Sequence, residues 1–303
     1  PVTLTAKIGT TTLKTSQLPF SAHLAAPEGL QFDGAGNLWV ANATSNQVVF
    51  YPPATLAVGA EQTNQLAISG TLLNSPRRMA FDPTNPSHLW IASLGSNTAT
   101  PAPSVVGYDI ATNSVFKTIT GNISQPVDVA VDGSGYVYVA NSGGPLASTV
   151  SVFAPNTYVF AHSVSAILSG ACSGSFSVPA SLLFNPSDGS GGTIYIGTQQ
   201  IIYAVPASTL ASGVPVCTRS YTSSVSDPTG LAYHGNILYA DQEGTNSATT
   251  YSLNGTGLMS TIGLPNYPRG VAVDSSGNIY LAITLNNEIL EYNSSGTLIN
   301  TIQ

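Results

Sequence analysis

The chain says nearly the same thing six times. Pro27-Glu28-Gly29-Leu30-Gln31-Phe32-Asp33 passes through a glycine-bearing turn to Asn37-Leu38-Trp39-Val40-Ala41-Asn42. Pro126-Val127-Asp128-Val129-Ala130-Val131-Asp132 leads likewise to Tyr136-Val137-Tyr138-Val139-Ala140-Asn141, and Pro268-Arg269-Gly270-Val271-Ala272-Val273-Asp274 to Asn278-Ile279-Tyr280-Leu281-Ala282-Ile283. Weaker copies start at Pro76, Pro179 and Pro228. The prolines at 27, 76, 126, 179, 228 and 268 are spaced by 49, 50, 53, 49 and 40 residues, the period of propeller blades.

Each copy reads as a hairpin. A short apolar run, a turn of Asp, Gly or Ser and a second run rich in β-branched and aromatic residues are its signature. Proline at the head of the first strand is tolerated because no ladder N–H is needed there. Third runs follow at Gln47–Tyr51, Val105–Asp109, Thr149–Phe153, Ile201–Val205, Thr249–Leu253 and Glu288–Tyr292. Fourth runs follow at Gln65–Ile68, Val115–Ile119, Ser163–Leu168, Val216–Tyr221, Leu258–Ile262 and Thr297–Ile302. No stretch of a dozen residues carries a helical period. The expected fold is all-β: a six-bladed β-propeller of four-stranded antiparallel blades over 27–303. Residues 1–26 are surplus to it and contain two strand-like runs. They are expected to close a blade, add a strand, or pair with another subunit.

The pattern Pro-x-Gly-φ-x-φ-Asp-x-x-Gly-Asn-φ-(Tyr/Trp)-φ-Ala-(Asn/Asp), where φ is apolar, resembles the NHL-repeat propellers. That resemblance implies the fold and leaves function open, because such propellers include enzymes, sensors and scaffolds.

Composition excludes several classes. Of 303 residues only 7% are charged, and seven Lys+Arg against fourteen Asp+Glu give −7. An acidic chain without a basic stripe is not expected to bind nucleic acid. No apolar run reaches 18 residues, so no membrane-inserting helix is expected. Two cysteines do not make a disulfide scaffold or a multi-cysteine zinc site.

Propeller geometry then sorts the scarce charges. The first strand lines the channel, so its start and the end of the second strand share one rim. The hairpin turns occupy the other. The turn rim carries Asp33, Asp82, Asp132, Asn185, His234 and Asp274, which read as turn-setting residues. The opposite mouth collects Glu28, Arg77, Arg78, Asp128, Asn141, Asp241 and Arg269, including three of the four arginines. Charges crowded at a narrow mouth either lock neighbouring blades or form a polar site suited to anionic groups.

Glu28 and Asp241 also resemble ligands of the gluconolactonase (senescence-marker) propellers. That likeness implies a divalent cation such as calcium in the channel, although Ser181 and Thr229 stand where that family opens a strand with Asn-Gly. Zinc or histidine-dependent lyase chemistry of the amidating-lyase or streptogramin-lyase type needs channel histidines. His23, His88, His162 and His234 map to separate places. No nucleophile elbow or phosphate-cradling loop is present.

Cys172 and Cys217 fall in comparable outer regions of adjacent repeats. A disulfide and two separate buried thiols are both open. The sequons at Asn42, Asn122, Asn254 and Asn293 are weak signals in so Ser/Thr/Asn-rich a chain.

The expectation is an extracellular or cell-surface module, its signal peptide removed, with no resident cofactor. It is expected to bind a protein or a small polar or anionic ligand at the mouth. The alternatives are a metal-dependent lactonase or lyase, and a matrix or filament subunit that self-associates through residues 1–26.

Overall fold

The computed structural model describes residues 24–57, 63–68, 71–95, 102–167, 169–172, 174–255 and 257–303, and the backbone of 3–8 and 11–17. Six four-stranded antiparallel sheets surround a channel. Their innermost strands are Pro27–Phe32, Pro76–Asp82, Pro126–Val131, Ser181–Asn185, Leu231–His234 and Pro268–Val273, which open blades one to six. In blades four and five the anchoring proline precedes the strand by two or three residues. Only two short α-helices occur among the described residues, Pro53–Leu56 and Ala207–Ala211.

The second strands explain the apolar runs. In Leu38–Asn42 every residue is buried. Side chains alternate across a strand, so Leu38 and Val40 pack into the seam with blade six while Trp39 and Ala41 pack into the seam with blade two. A strand sandwiched on both faces has no polar side to show. Six apolar clusters result, one in each seam between neighbouring blades. Polarity rises outward, and the outer strand of blade five, Leu258–Gly263, is almost wholly exposed.

The ring closes without exchanging a strand. Blade six takes all four strands from the C-terminal end, finishing with Leu298–Ile302. Thr3–Ile8 and Thr11–Gln17 pair with each other in a separate two-stranded sheet. Blades six and one are therefore joined by side chains and buried apolar surface. Ala26 N donates to Asn287 Oδ1 at 2.7 Å, and Thr284 Oγ1 donates to Pro27 O at 2.8 Å. Gly270 lies so close to Glu28 O that a Cβ placed there would sit 2.0 Å from it.

Cys172 and Cys217 form a disulfide. It ties the loop before blade four to the region that elsewhere supplies a continuous outer strand. Here that strand is shortened to Arg219–Tyr221, and Val216–Cys217 instead pairs in parallel with Ser169–Gly170.

The turn rim is built by local bonds, as its residue types suggest. Asp33 Oδ1 accepts from Ala35 N and Asn37 N, both at 2.9 Å. Asp132 and Asp274 repeat the arrangement. Asp82 and Asn185 accept from the residue two positions on.

Candidate functional site

The opposite mouth begins with backbone strain. The residue before each anchoring proline has a positive φ: Ala26, Ser75, Gln125, Val178, Asp227 and Tyr267, between 36° and 53°. None is glycine, and a β-branched residue such as Val178 is rarely found there. Each such residue costs of order 1–3 kcal/mol and persists only where its surroundings over-determine it. At several seams the restraint is visible. Asn287, Asn46 and Asn246, themselves left-handed, accept from the N–H of Ala26, Ser75 and Tyr267 in the next blade, at 2.7–2.9 Å. Strained backbone around a mouth was not legible from composition, although the X-Pro step in every repeat marked the place.

The residues just after the prolines then link blade to blade. Glu28 of blade one, buried, accepts from Arg77 of blade two and from Arg269 Nη1 of blade six at 3.3 Å. Arg269 Nη2 continues to Glu243 of blade five at 2.7 Å. Asp128 Oδ2 of blade three accepts from Leu182 N of blade four at 2.8 Å. Ser181 Oγ donates to Pro228 O at 2.6 Å, and Thr229 Oγ1 to Pro268 O at 3.4 Å. The charged residues therefore do lock adjacent blades, and the ion network runs across the closure from blade five to blade two. Glu243, the added member, follows Asp241 by two residues; its position past the strand hid it.

Deeper in, Arg78 stands between the mouth and the channel. It lines both a mouth cavity of ≈ 320 Å³, with Glu28, Arg77, Glu243 and Arg269, and a channel cavity of ≈ 260 Å³. Its Nη2 donates to Arg269 O at 3.3 Å. Its charge acts on two buried carboxylates, Asp128 and Asp241. Burial pushes Asp128 up to about 7, against the opposing pull of Arg78 and two backbone N–H groups. Burial likewise pushes Asp241 up to about 6, although Arg78 and the bonds from Thr229 and Gly230 favour its charged form. Asp241 Oδ1 takes all three of those bonds, at 2.8–2.9 Å, while Oδ2 is buried with no partner.

Asn141 is not part of this mouth. Its side chain is fully buried, with Oδ1 accepting from Ser124 N at 2.8 Å and Nδ2 donating to Ser151 Oγ and Thr149 Oγ1 at 3.0 and 3.1 Å. Facing away from the channel, it fastens the loop entering its own blade. Asn42 is buried at the equivalent place, which also removes its sequon from the surface.

The residues present do not fit a divalent ion. Glu28 is engaged by two guanidinium groups and Asp241 faces a third. Ser181 donates its hydroxyl across the seam to Pro228 O, and Thr229 donates its own to Asp241 Oδ1. Among the described residues no three His, Cys, Asp or Glu side chains gather as a metal-binding group. The histidines lie apart. His88 stacks on Phe116, His162 reaches Leu210 O and His234 sits at a hairpin turn, while His23 falls outside the described residues.

No protein-family profile matches the sequence, and no curated protein matches it. Solved structures do. A chain of a nidogen/laminin complex superposes with TM-score 0.63 at 13% identity, over 86% of this chain and 90% of that one. A streptogramin B lyase superposes with TM-score 0.62 at 11% identity, over 94% of this chain and 85% of that one. At such identities the likeness is one of fold.

Proposed function

We propose that this NHL-like propeller is a non-catalytic extracellular or cell-surface recognition module that receives an anionic group, from a small ligand or an acidic segment of a protein partner, at its arginine mouth. One observation carries the reading: the mouth holds more donors than acceptors. A guanidinium brings five N–H groups. Among the described residues Arg77 and Arg78 each donate one hydrogen bond and Arg269 donates two. The Nε of all three is buried without a partner. Arg77 and Arg269 keep 18% and 29% of their side chains open to solvent. Spare, fixed donors at the entrance of a partly desolvated cavity suit carboxylate, sulfate or phosphate.

Blade-locking and recognition use the same atoms. The seam bonds hold the arginines in place, and the N–H groups they leave unspent are the donors for the ligand. The disulfide supports an oxidising, extracellular setting. The arginines oppose a catalytic cation, so the lactonase or lyase alternative loses its metal. Binding of a glutamate-rich peptide tests the reading. It is expected to fall at least tenfold in Arg77→Gln and Arg269→Gln, with a neutral peptide of equal length inert. Equal binding by both variants, or lactone hydrolysis abolished by chelator, overturns it.

A second reading rests on the paired strands Thr3–Ile8 and Thr11–Gln17, which join no blade sheet. A two-stranded sheet outside the blades fits strand addition to another copy of this chain. Its removal is then expected to leave the blades folded and to abolish any self-association measured by light scattering.

A further inference from the structure

The turn rim holds a third cavity, of ≈ 600 Å³, in the seam between blades six and one. Its walls include the turn residues Asp33 and Asp274, the rings of Phe32 and Tyr280, and Glu291. The two rings meet edge to face with centroids 5.1 Å apart.

Glu291 is the residue that the repeat does not explain. On the third strand, the partner of the second-strand aromatic is Phe50 opposite Trp39, Gly107 opposite Trp90, Val152 opposite Tyr138, Ala204 opposite Tyr195 and Thr250 opposite Tyr239. Blade six alone places a carboxylate there, Glu291 opposite Tyr280. In blades one and three the aromatic of the second strand donates back to its own turn aspartate, Trp39 Nε1 to Asp33 and Tyr138 Oη to Asp132. Tyr280 Oη donates instead to Glu291 Oε1, at 2.7 Å. Blade six thus departs from the repeat in two coupled ways, and both occur at this cavity.

Anchoring Tyr280 needs one oxygen. The other, Oε2, is buried with no partner, and Glu291 as a whole is only 4% exposed. It makes no ion pair among the described residues. A buried carboxylate oxygen without a donor is costly. Here three carboxylates surround the space with no arginine or lysine in its wall. The donor that fits must be cationic to answer that charge, must carry N–H to satisfy Oε2, and must have an apolar body to lie against the rings.

We propose that this inter-blade cavity binds an organic cation bearing N–H donors, a primary ammonium or a guanidinium, with Glu291 Oε2 as its acceptor and Phe32 and Tyr280 as its aromatic wall. The experiment is an NMR titration of the intact chain with n-butylammonium and butylguanidinium, with tetramethylammonium and 1-butanol as controls. Both N–H cations are expected to bind, and at least tenfold more tightly than either control. Glu291→Gln is expected to weaken them at least tenfold, with its near-ultraviolet circular dichroism and melting temperature reported alongside. Ser275→Trp, an exposed turn substitution on the cavity wall, is expected to block binding even if the glutamine variant does not fold. Comparing butylammonium with an acetylated lysine amide distinguishes a free amine from a side chain of a partner protein. No binding, equal binding by 1-butanol or tetramethylammonium, or unchanged affinity in both variants overturns the proposal.

Discussion

Replacing Asp128 with asparagine should flatten the dependence of stability on pH. The folded chain holds a proton on Asp128 up to about pH 7, whereas an ordinary aspartate releases it near 3.8. Between these values the folded state binds more protons than the unfolded one, so stability falls as pH rises. The stabilisation of the acidic side is present below about 4 and fully lost above 7. Two pH units of that interval lie above pH 5. At about 1.4 kcal/mol per unit this gives a loss of ~3 kcal/mol between pH 5 and pH 8. Asp241, raised to about 6, adds one unit and ~1 kcal/mol in the same window. Asparagine is neutral throughout, so Asp128→Asn should remove most of the fall and the double variant with Asp241→Asn nearly all of it. The assay is urea denaturation at pH 5, 6, 7 and 8, with attention to the slope across pH and not to the value at any one pH. A slope unchanged in Asp128→Asn would refute the reasoning. So would a wild type that gains stability from pH 5 to 8.

Four further outcomes follow from the seams, the turns and the disulfide. Glu28→Gln should destabilise the protein by ~2 kcal/mol in urea at pH 7, because it removes the ion-pair partner of Arg77 and leaves Arg269 with Glu243 alone, while the partial exposure of both arginines keeps the loss below that of a fully buried pair. Gly270→Ala should cost ~3 kcal/mol or prevent folding by driving a methyl group into Glu28 O. Gly34→Ala, with nothing within 4 Å, should leave the urea midpoint nearly unchanged. Reduction of the Cys172–Cys217 bridge, which closes a 45-residue separation, should cost at most about 4 kcal/mol, read as a lower melting temperature in reductant.

The repeat made the blades legible because its cues agree. Proline, turn aspartate and alternating aromatic occur in one register, and the third strands of blades one, three and six match the structure residue for residue. Outer strands were harder to place, since exposure weakens their pattern: residues 160–167 split into two short strands and 216–221 into another pair. The post-proline positions bring Glu28, Arg77, Arg78 and Arg269 around one cavity because one strand start is one rim, whereas Asp128 lines the channel cavity below it. Asn141 misled because a strand exit can turn its side chain away from the channel, and strand pairing alone does not say which way. Glu243 escaped notice since it lies beyond the strand, and Glu291 since a single carboxylate in a third strand has no sequence motif.

The scarcity of charge also reads differently in three dimensions. Few charges are spent on the surface, and a large share works in the seams around one opening. When Asp128 and Asp241 take up protons, the three arginines there are left with Glu28, Glu243 and Asp227, the last itself raised by burial and by the charge of Glu243. Acidification therefore removes negative charge from around the arginines. The most direct measurement is calorimetric titration with sulfate, whose charge is constant between pH 5 and pH 8, on the wild type and on Arg269→Gln. Affinity should be at least tenfold higher at pH 5 than at pH 8, and the gain should disappear in the variant. Sulfate that fails to bind at pH 5, or binds equally at both pH values, would contradict an anion-receiving arginine mouth.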